Sequence, residues 1–468
     1  MQNPNRRSFL SSMSGGMLGV GLAQTLAAAE PHRFDLSAKR PHLPARAKSI
    51  IHLFQNGGPS QMDLFDPKPE LEKYAGKTYP GNVEGIGNQS TNDIGALMGT
   101  PFEFKRHGQS GMWMSNAMPH LAGVIDELCF IHSMWTDHPN HDNALYKIQT
   151  GQLFMGHPSL GSWITYGLGT ENNNLPAYVV LDDPRGLPKN GLRNWTSAYL
   201  PPLYQGTRFR SVGAPILNLT PEYERPDGVA KVAQQLLGKM DKRHRDQRPG
   251  YLELDARIDS YELAARMQLT ASDVLDLSQE SEQTRAEYGV GQNPTDSYAK
   301  RCLLARRLVE RGVRVVQIYL DDQPWDNHSN LGGTLLSACR RTDQPVAALI
   351  RDLKQRGLLE STLVVWGGEF GRTPTSQRMG TSYTGRDHNM QGFTSWLAGG
   401  GVKTGFRFGE TDELGHEAVV NPVSVADFHA TILHSLGLSH RQLHFERNGL
   451  EERLTGLHPP RVVSEIFA

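Results

Sequence analysis

The chain has 468 residues, a formal net charge of -1 at pH 7 and only three cysteines, Cys129, Cys302 and Cys339. Near-neutral charge without a long basic run argues against nucleic acid and acidic membrane surfaces as partners. So few cysteines exclude a disulfide framework, so a large core must carry the stability; at about 150 residues per domain the length allows two or three domains or one large α/β domain. In chain order, residues 1–29 read as a twin-arginine leader: Arg6-Arg7-Ser8-Phe9-Leu10, an uncharged stretch from Met13 to Leu26, and Ala27-Ala28-Ala29 before Glu30. The apolar stretch is glycine-rich and shorter than the roughly 20 residues that span a bilayer, so no stable membrane span is expected. Such a leader implies export of a folded protein to the periplasm or the extracellular space.

Residues 30–48, rich in proline and basic side chains, read as a linker. The folded part begins at Ser49-Ile50-Ile51-His52-Leu53-Phe54, a short apolar run closed by Asn56-Gly57-Gly58-Pro59, which predicts a buried strand ending in a tight loop. A helical pattern over Tyr298–Arg311 precedes a second such run, Val313–Leu320. Another, over Pro345–Arg356, precedes Thr362–Trp366 and Gly367-Gly368. Helix, β-branched strand and glycine loop in repetition predict an α/β fold with a mostly parallel sheet covered by helices on both faces. The segment Asp182–Asp227 is crowded with Pro, Gly, Asn and Arg, and Tyr251–Tyr288 has helical spacing. A loop-rich and helical insertion over about 182–290, forming a cap, is therefore expected within a domain spanning 49–468.

Open parallel sheets bind ligands at the carboxyl ends of their strands. There the sequence carries Gln55, Asn56, Ser60 and Asp63 after the first strand, Asp326 and His328 after the second, and Glu369, Arg372 and His388 after the third. Asp326, His328, Glu369 and His388 are candidate ligands of a divalent metal, zinc, manganese, calcium or magnesium; the alternative is that each caps a helix or pairs with an arginine. Arg372 offers a planar fork to an anionic substrate or is the structural partner of Glu369. His132, His138 and His141 fall in one loop with Asp137 and Asp142, a pattern suited to metal or acid–base work that matches no standard zinc spacing. Trp325, Trp366 and Trp396 are candidate sugar platforms, although aromatic residues beside strands are more often core.

These residues resemble those of an exported family known as domain of unknown function 1501, a sulfatase-like branch of the alkaline phosphatase superfamily. The carriers are Asn56-Gly57-Gly58-Pro59-Ser60-Gln61, Trp325-Asp326-Asn327-His328, Gly368-Glu369-Phe370-Gly371-Arg372-Thr373-Pro374, Asp387-His388-Asn389 and Asp427-Phe428-His429. The resemblance implies an alkaline phosphatase-like fold and assigns Asp326 and His328 to the superfamily's middle Asp/His pair, Glu369 to its later carboxylate and His388 to its final His. Gln55 or Asn56 replaces the first-strand Asp, and Glu369-Phe370 replaces an Asp-His dipeptide, which favours one metal over two. The segment His138–Asn143 matches the superfamily's nucleophile loop but holds no Cys, Ser or Thr; Ser60 is a hydroxyl on another loop. The expected function is metal-dependent hydrolysis of a phosphate or sulfate ester, on a small molecule or a polysaccharide. In it His138, His141 and Ser60 would serve catalysis, and Arg372 and Asn56 would bind substrate. The competing expectation is a non-catalytic protein that binds a glycan or a cell-surface partner.

Overall fold

A computed structural model describes residues 34–80, 94–210, 229–248, 273–379, 382–456 and 460–468, with isolated positions between 254 and 267. The expected leader lies outside these residues. In chain order the strands used below are β1 (Ser49–Phe54), β2 (Leu128–Trp135), β3 (Tyr178–Leu181), β4 (Thr207–Phe209), β5 (Val315–Ile318), β6 (Thr362–Gly367), the hairpin β7 (Gly371–Met379) and β8 (Ser382–Asn389), then β9 (Phe393–Ala398) and β10 (Phe406–Phe408). The helices are α1 (His141–Thr150), α2 (Leu160–Leu168), α3 (Val229–Asp246), α4 (Asp296–Glu310), α5 (Leu331–Gln355) and α6 (Val425–Ser435). The central sheet runs β10-β2-β9-β6-β1-β5-β3-β4, with Val423–Ser424 pairing beside β2. Its pairs are parallel except those of β9, which is antiparallel to β2 and β6.

Strand alternation divides the core into two layers. Ile51, Leu53, Val316, Ile318, Val364 and Trp366 pack beneath α4 and α5. Their neighbours Ile50, Phe54, Val315, Leu363 and Val365 pack beneath α2 and α6. A strand with both faces buried must be apolar at consecutive positions, which is why these runs lack a polar face. The expected mostly parallel sheet with helices on both faces is thus the observed architecture.

Three boundaries differ from expectation. Helix α5 begins at Leu331 and contains Pro345 in its interior. Its buried face, from Leu335 through Ala338, Cys339 and Val346 to Leu349 and Leu353, continues across the proline, and this packing outweighs a cost of about 3 kcal/mol. Residues 34–48, read as a linker, are bound to the fold: the Lys39 and Leu43 amides donate to Leu168 and Gly437, and Phe34 packs on Tyr166 and Phe445. The loop-rich stretch after Asp182 supplies β4, which pairs with β3 at the sheet edge, so its first part belongs to the main sheet.

Candidate metal centre

Three connections from the carboxyl edge of the sheet meet at one point. The turn after β5 brings Asp326 and His328, the hairpin after β6 brings His388 on β8, and the loop after β2 leads into α1, whose first residue is His141. Asn140 caps α1, its side chain accepting from the Asp142 amide at 3.0 Å, and so fixes where His141 emerges. Two close approaches require glycine. A Cβ on Gly385 of β8 would lie 2.0 Å from the carbonyl carbon of His328, and one on Gly57, whose φ is +113°, would lie 2.7 Å from the Asp326 amide. The Arg386 amide donates to the Asn327 carbonyl at 3.0 Å, locking β8 to the Asp326–His328 turn.

The Nε2 atoms of His328, His388 and His141 stand 2.8, 3.2 and 3.3 Å from Asp326 Oδ1, and those of His328 and His388 are 3.1 Å apart. The ligand atoms of all four residues lie within 4.8 Å of one another. Tetrahedral ligands on bonds of about 2.0–2.1 Å are separated by about 3.3–3.4 Å, so the spacing fits a single small ion. Each ring is held from behind at Nδ1. His141 donates to Glu369 Oε1 at 2.7 Å, His388 to the Pro139 carbonyl at 2.8 Å, and His328 to Gln377 Oε1. Acceptors at every Nδ1 put the protons of neutral imidazoles on the outer nitrogens and turn the Nε2 lone pairs inward. Buried His141 Nε2 makes no hydrogen bond, although it faces Asp326.

The electrostatics hold the carboxylate charged. Burial raises the Asp326 pKa, but Arg372 at 2.5 Å and the three imidazoles outweigh it and keep the group far below the usual carboxylate range. Burial, with the Arg372 charge, pushes His388 down to about 4 against the pull of Asp326. For His141 burial also acts downward, yet Asp326 and Glu369 together raise it.

Among the sequence-derived candidates, Asp326, His328 and His388 converge and Glu369 does not touch Asp326's ligand face. Glu369 is fully buried behind His141, with its oxygens 2.9 and 3.1 Å from the Gly57 amide. His141, read as an acid–base residue, instead joins the cluster. Arg372 is fully buried and is the partner of Asp326 rather than of Glu369, with its guanidinium spent on the carbonyls of Gly57, Gly58, Trp325 and Arg386. It has no free face for an anion. Asn56 is equally committed, bonding Leu320 and Asp321 across the β1–β5 gap, and Ser60 Oγ donates to Asp63, itself paired with Arg386. His138 is half-buried, its Nδ1 accepting from the Asn140 amide. His132 lies in β2, far from being a loop residue, and stacks on Phe130. Trp325, Trp366 and Trp396 are all core. Sequence reasoning missed Gln377 and the Pro139 carbonyl; neither has a signal, because their roles depend on a hairpin that the pattern after Gly368 did not reveal.

A family model described as a protein of unknown function, DUF1501, matches residues 47–467. The chain belongs to this family. No curated protein matches it in sequence. Among solved structures, this DUF1501 protein is similar to a sulfatase from Pseudoalteromonas sp., with TM-score 0.34, 11% identity, and 94% of this chain and 72% of that one covered. It is also similar to the lipoteichoic acid synthase LtaP of Listeria monocytogenes (0.35, 10%, 90% and 78%) and to an alkaline phosphatase superfamily protein of Vibrio parahaemolyticus (0.34, 9%, 92% and 78%). Likeness at this level leaves the chemistry to be argued from the site itself.

Proposed function

We propose that this DUF1501 protein is an exported metal-dependent hydrolase of sulfate or phosphate esters, on small molecules or polysaccharides. The observation that carries the reading is the convergence of three imidazole Nε2 atoms on Asp326 Oδ1, each ring held at its far nitrogen by an acceptor. His141, Asp326, His328 and His388 would hold the ion, and three nitrogens with one carboxylate oxygen suit zinc better than calcium or magnesium. A divalent ion there would supply Lewis acidity, polarising an ester oxygen and acidifying water.

The chain's own groups have separable tasks. Glu369 fixes the tautomer of His141 and raises its basicity, Gln377 does the first of these for His328, and Arg372 keeps Asp326 ionised. Asp326 and His328 are the partly exposed members, each with 22% side-chain exposure, so substrate would approach over them. His138, half-buried three residues before His141, is the nearest candidate in sequence for proton transfer at the rim. A covalent route has little support. Ser60 is tied to Asp63, and Cys129, Cys302 and Cys339 are buried, the Cys129 thiol pushed up to about 12 by burial. Water is therefore the proposed nucleophile.

The test is metal content by mass spectrometry on purified protein and on His388→Ala, followed by turnover of 4-nitrophenyl sulfate and phosphate. About one ion per chain in wild type, lost in the variant together with turnover, is expected. Metal without turnover on any sulfate or phosphate ester would favour the glycan- or surface-binding alternative; no metal after divalent ions are added back would end both the ligand assignment and the hydrolase.

A further inference from the structure

Helix α3 is mounted the wrong way round for a globular protein. Val229, Val232, Leu236, Leu237 and Met240 are between 47% and 65% exposed. At 3.6 residues per turn they fall within an arc of about 140°. Gly238, Asp241 and Arg245, on the opposite side, are half-buried, as is the small Ala233 within the arc, and Arg245 is held by Asp259 at 2.9 Å. An amphipathic helix normally turns its apolar stripe to the core. Here the strip bearing Gly238, Asp241 and Arg245 meets the protein while the five large aliphatic side chains meet solvent, with Tyr261 also exposed nearby in sequence.

The charge pattern names the occupant. Residues 229–248 carry six Lys and Arg against two Asp, a local net charge of +4 in a chain whose total is -1. On the same helical count Lys239 and Arg248 fall just outside the two borders of the stripe, and Arg243 and His244 just inside them. Protein interfaces centre on Trp, Tyr and Arg anchors seated in pockets, with Leu and Val under-represented. This stripe is aliphatic and flanked by cations, the composition of a helix that lies in the plane of an anionic lipid surface. We infer that α3 docks this protein on anionic membrane, its aliphatic stripe entering the headgroup boundary and Lys239, Arg243 and Arg248 facing lipid phosphates. The whole-chain charge, which argues against such a partner, averages away this local patch.

The experiment is co-sedimentation of the chain without its expected leader with vesicles of phosphatidylcholine alone or mixed with phosphatidylglycerol. Wild type is expected to bind the mixed vesicles and to be released by salt. Leu236→Asp/Met240→Asp should lower the bound fraction about tenfold or more, and Lys239→Glu/Arg243→Glu should weaken it on the anionic vesicles. Because these side chains are exposed, melting temperature and metal content should be unchanged. Binding no better with phosphatidylglycerol than without it overturns the inference. So does an aspartate variant that binds vesicles like wild type, or that dissolves a wild-type oligomer in light scattering without affecting vesicle binding, which would assign the stripe to a second copy.

Discussion

Two groups of three histidines make the comparison from which most can be learned. His141, His328 and His388 share one carboxylate, and each carries an acceptor at Nδ1. His52, His132 and His429 are buried one by one in the core, and no carboxylate among the described residues accepts a hydrogen bond from their rings. His52 Nδ1 accepts from Gln317 at 3.1 Å, His132 Nδ1 lies 3.1 Å from Thr394 Oγ1, and His429 Nε2 donates to the Ile148 carbonyl at 2.9 Å. Burial is the largest of the causes that push the second group down, to about 3 for His52 and about 4 for His132 and His429. The residue type is the same in both groups, and His141 and His388 are as buried as the second three. A shared carboxylate with its own buried arginine is what separates a ligand set from three neutral packing residues.

The largest effect should follow from removing that carboxylate's charge. Asp326→Asn keeps the shape but leaves Arg372 buried without its counter-ion, and breaking such a pair costs about 3–5 kcal/mol. Urea unfolding should show a loss of that size, and mass spectrometry should find no bound metal. A variant that keeps both would place the charge balance of the cluster elsewhere.

The second group should govern acid stability. Its folded pKa values lie below the unfolded value of about 6.5, so these rings are neutral when folded and their contribution is complete above that pH. As pH falls, the unfolded chain takes up protons first, and stability declines by about 1.4 kcal/mol per pH unit for each histidine until its folded pKa is reached. Unfolding free energy of the chelated protein should therefore drop by about 2 kcal/mol per histidine between pH 6.5 and pH 5. A flat profile over that range would mean that these rings are reached by water.

A smaller loss is expected at the second layer. Glu369→Gln retains an oxygen that can accept from His141 Nδ1 but removes the charge that raises its basicity. Metal affinity, measured by competition with a chelator, should weaken about 10- to 100-fold while the fold is unchanged. Full loss of structure would instead mark Glu369 as the anchor of the Gly57 turn, whose amide it also receives.

How much of this was legible depended on whether a role is written in local pattern or in distance. The strands β1, β5 and β6 were readable because both of their faces are buried, which leaves unbroken apolar runs ending in glycine loops. Asp326, His328 and His388 were readable because parallel topology sends those loops to one edge. His141 and His132 were not separable by sequence: both belong to one histidine-rich stretch, yet β2 ends at Trp135 and α1 begins at His141, so one ring faces the core and the other the cluster. Arg372 reads as an anion fork or as the partner of Glu369, but the burial of the β7–β8 hairpin against the Gly57–Gly58 turn surrounds it with carbonyls and pairs it with Asp326. Ser60 and Asn56 likewise carry the chemistry of a site and are consumed by turn and loop bonds. Long-range hairpin pairing decided each of these, and no periodicity encodes it.

His132→Phe draws the line between the two groups with the smallest expected change. The ring of His132 is stacked on Phe130 with centroids 5.4 Å apart, so a phenyl ring can occupy the place with its packing kept. What is lost is one neutral contact to Thr394, about 1 kcal/mol at neutral pH. What is removed with it is a titrating group, so the acid limb of the stability profile should be shallower by about 1.4 kcal/mol per pH unit, and below about pH 6 the variant should overtake wild type. Metal content and turnover should not move. A variant that loses metal would join His132 to the cluster through Asp66 and Lys68, which face it electrostatically, and the division between ligand and packing histidines would have to be redrawn.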